Sequence, residues 1–178
     1  MAYYQIIADN FQSTIETIAM SADDLATTIE RGSQLMARAL VAEGKIIACG
    51  NGVDAALAQL FTCNLLNRFE QDRPALPALS LAADNASLTA IAQAGAYNDI
   101  FSRQLRALGQ PGDVLLCINS ADGASNLLRA VSAAQERDGL VAGSRHGLAQ
   151  GQGRRRRGLF PLLPGRSRLF GALPGLEH

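Results

Sequence analysis

The stretch Lys45-Ile46-Ile47-Ala48-Cys49-Gly50-Asn51-Gly52 decides the fold of this chain. A short apolar run that ends in Gly-Asn-Gly fits a parallel strand, buried on both faces, followed by a tight turn. A helix over about 54–69 follows, closed by the polar stretch through Arg73-Pro74. The pattern then repeats. Ala78-Leu79-Ser80-Leu81 is a candidate strand, and Tyr97 to Leu108 a helix ended by Gly109. Asp113-Val114-Leu115-Leu116-Cys117-Ile118 is the clearest strand in the chain, with a helix from Ala124 to Glu136 after it. Strands alternating with helices of ten or more residues imply right-handed crossovers and a parallel sheet covered on both faces. The predicted class is α/β, a three-layer sandwich. Ligands in such sheets bind beyond the carboxyl ends of the strands, which here are the turns at 50–54 and 119–124.

Upstream, Ile6, Ile7, Phe11, Ile15 and Ile18 lie at helical spacing and predict a first amphipathic helix over 4–19. Ser21, followed by Asp23 and Asp24, has the composition of a cap with acids in the first turn. It predicts a second helix running to about Glu43 and stopped by Gly44.

The chain has 178 residues, 48% of them hydrophobic, which suits one domain with one sizeable core. No basic leader opens it and no apolar run approaches the roughly 18 residues of a membrane span, so the expected location is cytoplasmic. Cys49, Cys63 and Cys117 each sit in an apolar stretch and share no metal-ligand spacing. They are expected to be buried thiols in a reducing compartment, with no metal and no cofactor. A formal net charge of zero hides a division after Arg137. Residues 1–137 carry 9 Lys/Arg against 14 Asp/Glu, and the remainder 7 Arg against 2 acids together with both histidines, His146 and His178. Histidine general-base, histidine-metal and Ser-His chemistry are therefore excluded from the front part unless the tail supplies the group.

Three stretches carry a family resemblance: Cys49-Gly50-Asn51-Gly52, then Leu66-Asn67-Arg68-Phe69-Glu70 with Arg73-Pro74, and Arg103 through Leu116. In order and spacing they resemble the sugar-isomerase (SIS) domain proteins of the phosphoheptose isomerase and DiaA group. The Asn-Arg-Phe-Glu and Arg-Ala-Leu-Gly wording is more similar to the DiaA side. The resemblance implies a five-stranded parallel sheet between helices, self-association as a dimer or tetramer, and a phosphosugar site built from the two turns. On the DiaA side it implies a non-catalytic protein that binds the replication initiator DnaA and regulates initiation; the alternative is a phosphoheptose isomerase acting on sedoheptulose 7-phosphate.

By family position the sugar-phosphate residues are Gly50, Asn51, Gly52, Asp54, Asn119, Ser120 and Asp122. The chemistry departs from the family there. Asp54 stands where the family has a serine, and Asn119-Ser120-Ala121-Asp122-Gly123-Ala124 replaces a Ser-Thr-Ser-Gly-Asn-Ser loop. Leu60 and Asn64 stand where family isomerases carry a histidine and a glutamate, and Gln93-Ala94 where they carry an Asn-Asp pair. No acid–base pair for an aldose–ketose proton transfer survives, so no catalytic residue is assigned. If the Asp54 carboxylate points at the phosphate position, two unit charges about 4 Å apart repel by about 4 kcal/mol at an effective dielectric of 20. Binding of a phosphosugar is therefore not expected.

The domain is expected over 1–141, with an irregular Arg/Gly/Pro/Leu-rich tail over 142–178 in place of the family's last strand and helix. Four adjacent arginines, Arg154 to Arg157, would attract phosphate. A shifted reading frame accounts better for the composition, and no nucleic-acid or membrane partner is expected. Codons such as GGA-CGA-CGT-CGA-CGT-GGC would encode Gly153 through Gly158, and dropping one base would turn them into Asp-Asp-Val-Asp-Val-Ala. Without the missing elements, apolar faces of the sheet and of the 54–69 helix would lose cover and the domain would be marginally stable.

Overall fold

The computed structural model describes residues 2–120 and 124–143. The expectations for Asp122 and for the tail from 144 onward lie outside the described residues. Four strands, β1 (Ile46–Cys49), β2 (Ala78–Ser80), β3 (Val114–Cys117) and β4 (Leu140–Gly143), form one sheet in the order β2-β1-β3-β4. All three pairings are parallel, and Ile46 lies opposite both Ala78 and Val114. Among the described residues five α-helices accompany them: α1 (Ala2–Val41), α2 (Val53–Leu66), α3 (Asn85–Gln93), α4 (Ile100–Leu108) and α5 (Ser125–Glu136). The α/β sandwich expected from the alternation is thus the fold, with four strands among the described residues.

Successive residues of a strand face opposite sides of the sheet, and the two sides make two cores. Ile46, Ala48, Val114 and Leu116 pack with Met36 and Ala39 of α1 and with Ala58 and Leu65 of α2. Ile47, Cys49, Leu115 and Cys117 pack with Phe101 and Leu105 of α4 and with Leu127, Ala130 and Ala133 of α5. Both faces being covered is why β1 and β3 read as unbroken apolar runs, fully buried along their length.

Several boundaries differ from the sequence reading. The two expected N-terminal helices are one helix of 40 residues. Ser21 does not cap a helix start; its hydroxyl donates to the Thr17 carbonyl inside the continuous helix. No glycine or proline interrupts residues 2–31, so nothing breaks the i to i−4 ladder there. Helix α2 stops at Leu66 rather than about 69, because the Arg73 guanidinium returns to its end and donates to the carbonyls of Asn64 and Leu65 at 2.7 and 3.0 Å. Helix α3, absent from the sequence reading, starts from Asp84, whose carboxylate accepts from the Ser87 amide at 3.1 Å. Tyr97–Asp99 forms a 3-10 turn ahead of α4 rather than its first turn. Strand β4 was also unforeseen. Cys63 is exposed, contrary to the expectation of core packing, whereas Cys49 and Cys117 are buried.

Candidate functional site

The two turns singled out in the sequence meet at the carboxyl edge of the sheet, because β1 and β3 are neighbours in register. Each is shaped by its own residues. At Gly50 an added Cβ would lie 2.6 Å from the backbone of Asp54, so only glycine lets the chain double back there. Gly52 adopts φ +56° and ψ −119°, a positive-φ conformation open chiefly to glycine, and α2 departs from it.

Two polar clasps join the turns. Asn51 and Asn126 exchange reciprocal amide hydrogen bonds at 3.0 and 2.8 Å, tying the first turn to the start of α5. Asp54, in the first turn of α2 and only 5% exposed, accepts from both the amide and the hydroxyl of Ser120 at 2.8 and 3.0 Å. The carboxylate is thus turned onto the second turn rather than held free toward a ligand. The amides of Asp54, Ala55 and Ala56 donate within the first turn, to the carbonyls of Asn51 and Gly52. Asn119 is buried beside this junction. Of the expected site residues, Gly50, Asn51, Gly52, Asp54, Asn119 and Ser120 are therefore brought together; Asp122 is not among the described residues.

Beside the first turn lies a cleft of about 470 Å³ between the start of α2 and helices α3 and α4. Gly50, Asn51 and Gly52 form one wall. Its polar side chains are Asn51, Gln59, Asn85, Thr89 and Tyr97, and no charged side chain lines it among the described residues. Gln59 is braced by donation to the Ala82 carbonyl at 2.9 Å. Sequence reasoning missed the contribution of Asn85, Thr89 and Tyr97, because it missed α3. The signal present was Asp84-Asn85-Ala86-Ser87, an N-cap acid with a serine three residues on.

Leu60, in the family's histidine position, is 57% exposed on α2, and Asn64 lies one turn further along. Cys49 and Cys117 sit directly below the turns with their sulfurs 3.5 Å apart. The contact with Cys117, followed by burial, pushes the Cys49 thiol well above its ordinary range, so it is held as a neutral core group.

The SIS domain family model matches residues 9–143. The chain is 47% identical over 138 residues to a phosphoheptose isomerase of Chromohalobacter salexigens, covering 78% of this chain and 70% of that protein. It is 46% identical over 154 residues to the phosphoheptose isomerase of Thiobacillus denitrificans, covering 84% and 78%. Among solved structures, a phosphoheptose isomerase from Francisella tularensis superposes with a TM-score of 0.83 at 32% identity, over 93% of this chain and 87% of that one. The phosphoheptose isomerase of Neisseria gonorrhoeae gives 0.79 at 31% identity, over 94% and 89%. These relatives are all phosphoheptose isomerases, which moves the family reading from the DiaA side, suggested by the wording of 66–70 and 103–109, to the isomerase side.

Proposed function

The chain belongs to the SIS-domain family, and from that premise we propose that it is a sugar-binding protein of the phosphoheptose isomerase type in which isomerase chemistry has been lost. One observation carries the reading: the cleft beside the first turn is lined by Asn, Gln, Thr and Tyr side chains, and no carboxylate, histidine, lysine or arginine among the described residues lines it. Amides and aliphatic hydroxyls can hold the hydroxyls of a sugar but are poor proton carriers, and the Tyr97 phenol has no carboxylate or imidazole beside it among the described lining residues to share the proton transfer of an aldose–ketose conversion. A positioned acid or base is worth about 10² to 10⁴ in rate, and the family positions for two of them hold Leu60 and Asn64.

The test is an isomerisation assay with sedoheptulose 7-phosphate, run beside one of the isomerase relatives. We expect no conversion above background from this chain. Turnover comparable to the relative's would overturn the reading and restore the chain to the isomerases. The cytoplasmic location expected from the sequence fits this proposal, and no helix among the described residues is long and apolar enough to cross a membrane.

A second reading, the DnaA-binding adaptor, is favoured by the segment Arg68-Phe69-Glu70, which stands out at the end of α2 with Arg68 and Glu70 exposed and Glu70 at φ +59°. Exposed loop residues in constrained conformations are candidates for contact with a protein partner. Pull-down of purified DnaA decides it: capture lost in Arg68→Glu supports the adaptor, and no capture removes it.

A further inference from the structure

We propose that the cleft of this chain takes a neutral sugar in preference to a sugar phosphate, because the Ser120 donors at the junction of the turns are taken by the protein's own carboxylate, Asp54. The proposal rests on the sugar-binding reading above and names the charge class of the ligand.

Two independent observations meet here. First, among the described residues, the junction of the turns is where an anion would find backbone donors, at the start of α2 and at Ser120. The Ser120 amide and hydroxyl both donate to Asp54 Oδ2. The amides of Asp54, Ala55 and Ala56 are used inside the first turn. A phosphate group arriving at the junction would have to displace a covalently tethered anion that is already desolvated and doubly hydrogen-bonded, or stand beside it and be repelled. Second, the adjoining cleft holds no charged side chain among the described residues and is lined by uncharged donors and acceptors over an apolar floor of Leu88, Ile100 and Phe101. At about 470 Å³ it lies within the roughly 300–1,000 Å³ range of small-molecule clefts. Hydroxyl groups match the amide of Asn85 and the second N–H and lone pair that Asn51 and Gln59 keep beyond their bonds to Asn126 and Ala82, without asking for a counter-charge. A dianion placed there would be desolvated, with no cation among the described lining residues to meet it.

Titration calorimetry with sedoheptulose and sedoheptulose 7-phosphate, on the unmodified chain and on Asp54→Ser, tests this. The unmodified chain is expected to bind the neutral sugar at least about tenfold more tightly than its phosphate ester, and Asp54→Ser to reverse that order by freeing the Ser120 donors. Asp54→Ser also removes a clasp, so Ala56→Trp provides a control that leaves the junction intact. Ala56 is exposed on the cleft wall, and an indole there is expected to weaken the neutral sugar about tenfold or more. Tighter binding of the phosphate ester by the unmodified chain would overturn the inference while leaving the sugar-binding reading in place. Binding of neither sugar would sink both, and neutral-sugar binding untouched by Ala56→Trp would place the ligand elsewhere and overturn the inference.

Discussion

Asp113 shows how much of this fold hangs on individual polar residues at the far edge of the sheet. It is 5% exposed, and its carboxylate accepts from the Lys45 amide at 3.0 Å, from Lys45 Nζ at 2.6 Å and from the Gln110 amide at 2.7 Å. Those three donors fix where β1 and β3 begin and therefore set the register that brings the two turns together. Asp113→Ala leaves two amides and a half-buried ammonium without their acceptor, and the expected loss is about 2–3 kcal/mol. Urea unfolding is the measurement: the midpoint should fall with the slope unchanged, and a midpoint that stays put would show that β1 and β3 hold their register without the carboxylate. Asp54 sits at the opposite edge and does related work. Its charge was evident in the sequence, but the sequence did not say that the charge would be spent on Ser120.

Among the elements, α3 is the one whose stability depends most visibly on pH. Hydrogen bonds from the Ser87 hydroxyl and amide hold the Asp84 carboxyl below its ordinary value. Asp99, which anchors the start of α4 against Arg129 of α5, is lowered in the same direction, chiefly by that guanidinium and then by the Ser102 hydroxyl. A carboxyl whose folded pKa is depressed contributes stability above its unfolded pKa, about 3.9 for an aspartate, and loses that contribution as pH falls through the folded value. Thermal melts of the unmodified chain between pH 5 and pH 3 should therefore fall more steeply than those of Asp84→Asn, which has no charge at the cap to lose. Parallel pH profiles would show that the cap contributes nothing through its charge. Because α3 lines the cleft, the same acid range should loosen ligand binding before it unfolds the sheet.

At the scale of the whole molecule, the unfinished surfaces stand out. Helix α1 is about 60 Å long at 1.5 Å per residue, yet only its C-terminal part, around Met36 and Ala39, is seated on the sheet. The stripe that seats there continues toward the N-terminus as Ile18, Ile15, Phe11, Ile7 and Tyr4, all exposed. Val53, Leu57 and Leu60 of α2 are exposed as well. Burying each such side chain would contribute roughly 1.5–3 kcal/mol. The self-association proposed from the family likeness would provide that cover, and it redirects the expectation of marginal stability: the isolated chain is short of cover, the assembled one need not be. Light scattering after size exclusion should report a multiple of the chain mass, and Phe11→Asp with Ile15→Asp should reduce it to the monomer. A monomeric unmodified chain that melts cooperatively would remove the proposal.

What the sequence determined by itself was local and periodic. Apolar runs bounded by glycine turns specified β1 and β3, because a strand buried on both faces must be apolar at every position. Alternation with helices specified the parallel α/β class, and the Gly50-Asn51-Gly52 turn marked one wall of the cleft. Short or polar segments were harder: β2 and β4 have three and four residues, and α3 begins in a run of Asp, Asn and Ser that resembles a loop until its cap is recognised. The tertiary structure alone decided the rest. It fused two expected helices into one, because Ser21 bonds back to Thr17 where the ladder has no breaker. It ended α2 through Arg73, seven residues beyond the helix, a contact that only the returning chain can make. It also closed Asp54 onto Ser120 across a separation of 66 residues. Whether a carboxylate repels a ligand or satisfies a neighbouring amide depends on what the fold places within hydrogen-bonding distance of it, and no periodicity in the sequence carries that distance.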